Sequence, residues 1–168
     1  MFKTPILLLI FNRPDHLKKI INILKKNNVQ NIYVAADGPR KNNTSDDLLC
    51  AQSRKLFNNL DWNCRVKKNF LNKNYGCREA VSKGISWFFK NEKYGIILED
   101  DCLPNSDFFN FCKKNLDKYQ NEKNIGCITG NNFQKKNNNQ GNILFFKLST
   151  LLGLGNMGKS MEKLQKKY

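Results

Sequence analysis

The sequence predicts an α/β fold: a three-layer sandwich around a mostly parallel, Rossmann-like sheet. Continuous apolar runs of strand length recur along it, as in Pro5-Ile-Leu-Leu-Leu-Ile10 and Ile32-Tyr-Val-Ala-Ala36. Strands buried on both faces of a parallel sheet look like this. The segments between the runs carry apolar residues at helical spacing, and each run stops at polar turn residues. Alternation of this kind predicts helices on both faces and right-handed crossovers. With 168 residues, 40% of them hydrophobic, the chain is long enough for one domain with a core and too short for two ordinary ones.

Pro5–Ile10 is the first expected strand, closed by Asn12-Arg13-Pro14. Pro14 suits the first turn of a helix, and Leu17, Ile20, Ile21 and Leu24 form its apolar stripe opposite several lysines. Ile32–Ala36 is the second strand, ended by Asp37-Gly38-Pro39. Thr44 and Asp47 have capping-box spacing, and Leu49, Leu56, Phe57 and Leu60 give a weaker helical stripe ending at Asn58-Asn59. A third strand is expected within Trp62–Phe70. Cys77, Ala80, Val81, Ile85 and Phe88 then mark a helix in which Gly84 permits close packing. Tyr94–Leu98 is the fourth strand, and Ser106 is expected to cap a helix carrying Phe108, Phe109, Cys112 and Leu116. Ile125–Thr129 is a fifth strand closed by Gly130, and 134–141 is a polar, low-complexity loop.

Composition excludes several classes. No apolar run approaches the roughly 20 residues that span a bilayer, and the start lacks a signal peptide's apolar core. Six cysteines form no Cys-x-x-Cys pair, which argues against a zinc ribbon or a thioredoxin-type site and suits reduced thiols in the cytoplasm. The net charge of +15 invites a nucleic-acid or anionic-membrane reading. Against specific nucleic-acid binding stands the makeup of that charge, 24 Lys to 5 Arg beside 26 Asn. Lys and Asn share a codon block that an adenine-rich genome inflates, and Arg, which forks onto phosphates, is scarce. Peripheral contact with the inner face of a membrane remains compatible with the basic surface.

In an open α/β sheet ligands collect beyond the carboxyl ends of the strands. The residues there are unusually polar: Phe11-Asn12-Arg13, Asp37-Gly38, Glu99-Asp100-Asp101 and Gly130-Asn131-Asn132. Neither a dinucleotide fingerprint nor a Walker loop is present. Three consecutive acids raise one another's pKa unless a cation or donors compensate. Mg²⁺ or Mn²⁺ is a natural compensation, because such ions take few protein carboxylates and fill other positions from a diphosphate. Arg13 and Arg78 supply counter-charge, Arg78 in the first turn of a helix. His16, beside Asp15, lacks a Ser or Cys partner and reads as structural. The cysteines, Cys102 included, read as small core residues, and the helical aromatics as packing.

Over residues 4–133 the ordered set Pro5–Pro14, Ala36-Asp-Gly38, Asn74-Tyr-Gly-Cys-Arg-Glu-Ala80, Gly95-Ile-Ile-Leu-Glu-Asp-Asp101 and Asp107-Phe-Phe109 resembles the GT-A nucleotide-sugar glycosyltransferases. Within that class it is similar to the bacterial family-2-like and N-acetylglucosaminyltransferase-I-like enzymes. The resemblance implies a nucleotide-sugar-binding domain over 1–149, with Phe11, Asn12 and Arg13 lining the nucleotide pocket. It implies that Asp37 hydrogen-bonds the base, that Arg78 lies near the diphosphate, and that Glu99 and Asp100 contact ribose or sugar. Asp101 would ligate Mn²⁺ or Mg²⁺. The donor would be a nucleotide-diphosphate sugar, a UDP-sugar first, and the acceptor a glycan or lipid-linked hydroxyl.

The family pattern fails after residue 150, where an acceptor-side stretch such as Gly-Trp-Ala-Thr-Trp is expected. The codon ATG followed by a codon beginning with G reads TGG, tryptophan, one base later, at both Met157-Gly158 and Met161-Glu162. Residues 150–168 are therefore expected to be a frameshifted tail, with the acceptor half and the catalytic base missing. Two rivals stand beside this reading. A sugar-phosphate nucleotidyltransferase would want a Gly-rich basic loop after the first strand, which Phe11-Asn12-Arg13-Pro14 does not supply. A basic nucleic-acid- or membrane-binding module would need no metal site.

Overall fold

The computed structural model describes residues 1–122 and 124–130. The expected 134–141 loop, the 150–168 tail and Asn131-Asn132 lie outside the described residues. What is described is an α/β fold with four helices and a four-stranded, all-parallel sheet. The strands are β1 (Ile6–Ile10), β2 (Asn31–Ala36), β3 (Arg65–Phe70) and β4 (Ile96–Glu99). The helices are α1 (Pro14–Lys26), α2 (Thr44–Lys55), α3 (Gly76–Asn91) and α4 (Ser106–Tyr119).

The order across the sheet is β3-β2-β1-β4. The chain steps outward from β1 through β2 to β3 and then returns to the far side of β1, so the direction of winding reverses between β1 and β4. Every residue of β1 is buried because the strand is covered on both faces. Ile6, Leu8 and Ile10 face one core with Leu17, Ile20, Leu24, Phe57 and Phe109, and thus lie beneath α1, α4 and the end of α2. Leu7 and Leu9 face a second core with Tyr33, Ala35, Ile85 and Phe88, beneath α3. The layers are therefore helices, sheet and helix. A Cβ on Gly84 would lie 2.8 Å from the Leu9 side chain and 2.9 Å from the Ala35 Cβ, so the close packing expected of that glycine is present.

Several boundaries differ from expectation. Helix α2 is capped by Asn43, whose side chain accepts the Ser45 N–H, and Thr44 is its first helical residue. Its helical bonding ends at Lys55 rather than at Asn58-Asn59. In α4 the cap is Asn105, which accepts from Asp107 and Phe108 N–H, and not Ser106. Both asparagines precede a Ser or Thr, so two plausible caps stood side by side, and backbone geometry chose between them.

Strand β3 starts at Arg65; Trp62, outside the ladder, donates its indole N–H to the Val29 carbonyl at 2.8 Å. Ile125–Thr129 is not a strand. Gly130 at its end lies against the Phe108 ring of α4, and a short apolar run without a ladder partner reads as a strand only by pattern. Cys50 is buried and Cys64 and Cys112 are half-buried, but Cys77, Cys102 and Cys127 are exposed and are not core residues. Burial pushes the Cys50 and Cys112 thiols up to about 11, which keeps them protonated and inert. No helix among the described residues is long and apolar enough to cross a membrane.

Candidate functional site

The carboxyl ends of β1 and β4 are neighbours at the reversal point, where the parallel register pairs Leu9 with Glu99. Beyond that pair the chain leaves β1 through Phe11, Asn12 and Arg13 and leaves β4 through Asp100 and Asp101. Arg13 Nη1 donates to Asp100 Oδ1 at 2.7 Å and to Asp101 Oδ2 at 3.0 Å. Asp100 is almost fully buried and also accepts the Phe11 backbone N–H at 2.9 Å. Asp100 and Asp101 are thus compensated by a guanidinium and an amide, and these contacts bind the two strand ends together. The hydrogen bond to Asp100, more than any other contact, raises the Arg13 guanidinium above its usual value. Glu99 is exposed, and the Asp101 side chain is 50% exposed.

A second network lies beside the first. Asn12 donates its side-chain N–H to Asp46 Oδ1 at 2.8 Å, and Asp46, in the first turn of α2, has no exposed surface. Arg40 grips the same carboxylate through Nε at 2.6 Å and Nη2 at 3.0 Å, with its own backbone N–H at 3.2 Å. Despite burial, these donors, led by the Arg40 side chain, hold Asp46 well below the usual carboxylate range. The Arg40 guanidinium also lies over the Phe11 ring, 5.5 Å from its centroid. Sequence reading passed over Arg40 and Asp46. The available signal was an acid in the first turn of a helix following Asp37-Gly38-Pro39-Arg40, which is too common to single out.

The end of β2 forms the third part of the rim. Asp37 Oδ1 accepts from Gly38 and Tyr75 N–H, both at 2.9 Å, and Oδ2 accepts from Gly76 N–H and the Asn74 side chain, both at 3.0 Å. Helix α3 has no side-chain cap of its own, so this carboxylate caps it from across the sheet, where a negative charge also favours the helix dipole. A carboxylate has about four acceptor sites, and the protein supplies four donors here. Arg54 Nη2 adds a staple, donating to the carbonyls of Asp37 and Leu71 at 2.9 and 2.7 Å. Arg78 is exposed in the first turn of α3, the helix start that Asp37 anchors.

Gly38 permits this closure. A Cβ there would stand 2.4 Å from the Lys73 carbonyl carbon and 2.6 Å from its oxygen, which are backbone atoms with little room to yield. Gly38→Ala is expected to cost about 2 kcal/mol as overpacking, read as a lower urea midpoint at unchanged m. An unaltered midpoint would mean that the two loops can part freely.

No family model, curated protein or solved structure matches the chain. The functional reading accordingly rests on the site itself.

The site offers three surfaces. One is an exposed guanidinium held by a buried acid, and another is the pair of exposed carboxylates Glu99 and Asp101. The third is the Phe11–Arg40 stack. Among the described residues no group of three or more His, Cys, Asp or Glu is arranged to hold a metal alone. The donor set suits a hard divalent cation shared with a ligand, because Asp101 presents a half-exposed carboxylate and Mg²⁺ usually binds one or two carboxylates together with substrate phosphates. His16 is exposed on α1 and takes no part. Two shallow grooves lie away from the rim, one between α1 and α2 along Pro14, Lys18 and Leu56 and one around Phe57, Leu60 and Val66. The site lies along the rim formed by the carboxyl ends of β1, β2 and β4.

Proposed function

We propose that this rim is the donor-binding half of a GT-A-type glycosyltransferase, which takes a nucleotide-diphosphate sugar, a UDP-sugar first, together with Mn²⁺ or Mg²⁺. The observation that carries the reading is the meeting of Arg13 with Asp100 and Asp101 where the winding of the sheet reverses, the place at which open α/β sheets bind nucleotides. Asp101 holds the metal, with Glu99 beside it. Arg13 faces the diphosphate, and Phe11, Asn12 and Arg40 form the nucleoside side. Asp100 and Asp37 act mainly as positioning residues, the first on Arg13 and the second on the start of α3 that carries Arg78. A divalent cation held there supplies positive charge against the diphosphate as the glycosyl bond breaks. The acceptor is a glycan or lipid-linked hydroxyl, and we assign its base to none of the described residues.

Calorimetry with UDP and GDP, each with and without Mn²⁺, tests this. Binding of UDP is expected to strengthen at least about tenfold with Mn²⁺, about 1.4 kcal/mol, and Asp101→Ala is expected to remove that increment. Metal-independent, salt-sensitive binding of DNA or anionic vesicles, with no nucleotide affinity, would favour a basic binding module instead.

A further inference from the structure

We infer that the end of the sheet opposite the rim docks on an anionic lipid bilayer, and that a chain docked there holds its rim toward the solution. The inference stands on the placement of charge and not on the function proposed above.

All four strands are parallel, so their amino ends lie together. Helices α1 and α3, which lead back to the starts of β2 and β4, end there as well. Five cations gather at that end: Lys3 before β1, Lys26 in the last turn of α1, Arg65 at the start of β3, Lys90 in the last turn of α3 and Lys93 before β4. All five are exposed, and none has an ion-pair partner among the described residues. The acids at this end are engaged already: Asp61 pairs with Lys25, and Glu92 shares the Tyr33 hydroxyl with Lys67.

A helix dipole favours Lys26 and Lys90, but Lys3, Arg65 and Lys93 lie outside the helices and owe nothing to it. At the rim the balance is reversed, since Asp37 and Glu99-Asp100-Asp101 close strands and the first turns of α1, α2 and α3 are acidic. The chain is thus charged oppositely at its two ends, and an anionic surface attracts one of them and repels the other.

The form of the basic end favours a bilayer over a nucleic acid. Helices α1 and α3 cover opposite faces of the sheet, so Lys26 and Lys90 flank the strand starts from two sides and the charge covers an area, not a stripe. Four of the five cations are lysines, point charges without the fork that reads phosphates and bases. Tyr94, next to Lys93, is 43% exposed, and a tyrosine beside lysines suits the headgroup level of a membrane. Each Lys or Arg near an anionic membrane is worth about fivefold in affinity.

The test is sedimentation of the full chain with vesicles of phosphatidylcholine alone, or with about one third phosphatidylglycerol. Binding should need the anionic lipid and be lost as salt is raised to about 0.5 M. Lys26→Gln with Lys93→Gln should weaken it about thirtyfold. Lys41→Gln with Lys73→Gln removes the same charge from exposed loops at the rim end and should change it by less than about threefold. Tyr94→Ala should weaken vesicle binding by about threefold and leave binding of duplex DNA unchanged. Equal losses from the two lysine pairs would mean that net charge alone drives binding, and would overturn the assignment of this end. So would failure to bind anionic vesicles at low salt. Binding of duplex DNA as tight as that of vesicles, with the same response to Lys26→Gln and Lys93→Gln and no effect of Tyr94→Ala on vesicles, would make it a nucleic-acid surface instead. The UDP titration reads the opposite end, so either result stands without the other.

Discussion

Asp37→Ala is expected to lower the stability of the chain by about 4 kcal/mol, a large share of the roughly 5–15 kcal/mol that holds a domain of this size together. The carboxylate is 9% exposed and accepts from three backbone amides and from Asn74. Its removal strips the cap from α3 and leaves one buried and three part-buried donors without their acceptor, the buried one at about 1–3 kcal/mol before relaxation and the others at less, since water reaches them. Thermal unfolding should show a Tm lower by about 10 °C or more. Asp37→Asn should recover part of the loss, since its side-chain oxygen can still accept two of the four bonds. A Tm within 2–3 °C of the parent for Asp37→Ala, on the order expected of a surface change, would show that the carboxylate does not hold the rim.

Acid sensitivity is the second large effect, and Asp46 is its source. The folded carboxylate titrates well below its unfolded value because Arg40 and Asn12 donate to it. A depressed folded pKa contributes stability that is fully present above the unfolded pKa, about 3.9, and is lost as pH falls toward the folded value. Asp46→Asn leaves Arg40 and Asn12 facing a neutral amide, so at pH 7 its unfolding midpoint should fall by an amount second only to that of Asp37→Ala. The gap between parent and variant should shrink as pH is lowered from about 5 to 2, because the parent is then losing the same charge. Urea titrations across that range decide it. A gap that stays constant would mean that the Arg40 contact contributes nothing to folding. Phe11 should report the change as well, because Arg40 lies over its ring.

The parts of the site legible in the sequence are those that sit at strand ends. Phe11-Asn12-Arg13, Asp37 and Glu99-Asp100-Asp101 each follow a buried apolar run, and a polar residue just past such a run is easily picked out. The charge problem posed by three consecutive acids was legible too. The structure meets it with Arg13, 88 residues from Asp101 along the chain, and the sequence holds no trace of that pairing. Arg40 and Asp46 were missed for the same reason. Their partners, Phe11 and Asn12, lie about 30 residues away, and neither residue stands out from its surroundings. The fifth strand was expected because apolar residues recur in Ile125–Thr129, yet a strand exists only where a neighbour supplies a ladder.

Local chemistry was enough to determine the order of strands and helices from β1 to α4, because burial on two faces and burial on one face leave different spacings of apolar residues. It also determined which end of the sheet carries polar groups. Only the tertiary structure decided what those groups do. Folding β4 in beside β1 sets Asp100 and Asp101 on Arg13, and bringing α3 across β2 turns Asp37 into a helix cap. Hydrogen bonds and ion pairs depend on distances of about 3 Å, which chain separation does not encode, so the roles of charged residues emerge only once the strands have been placed.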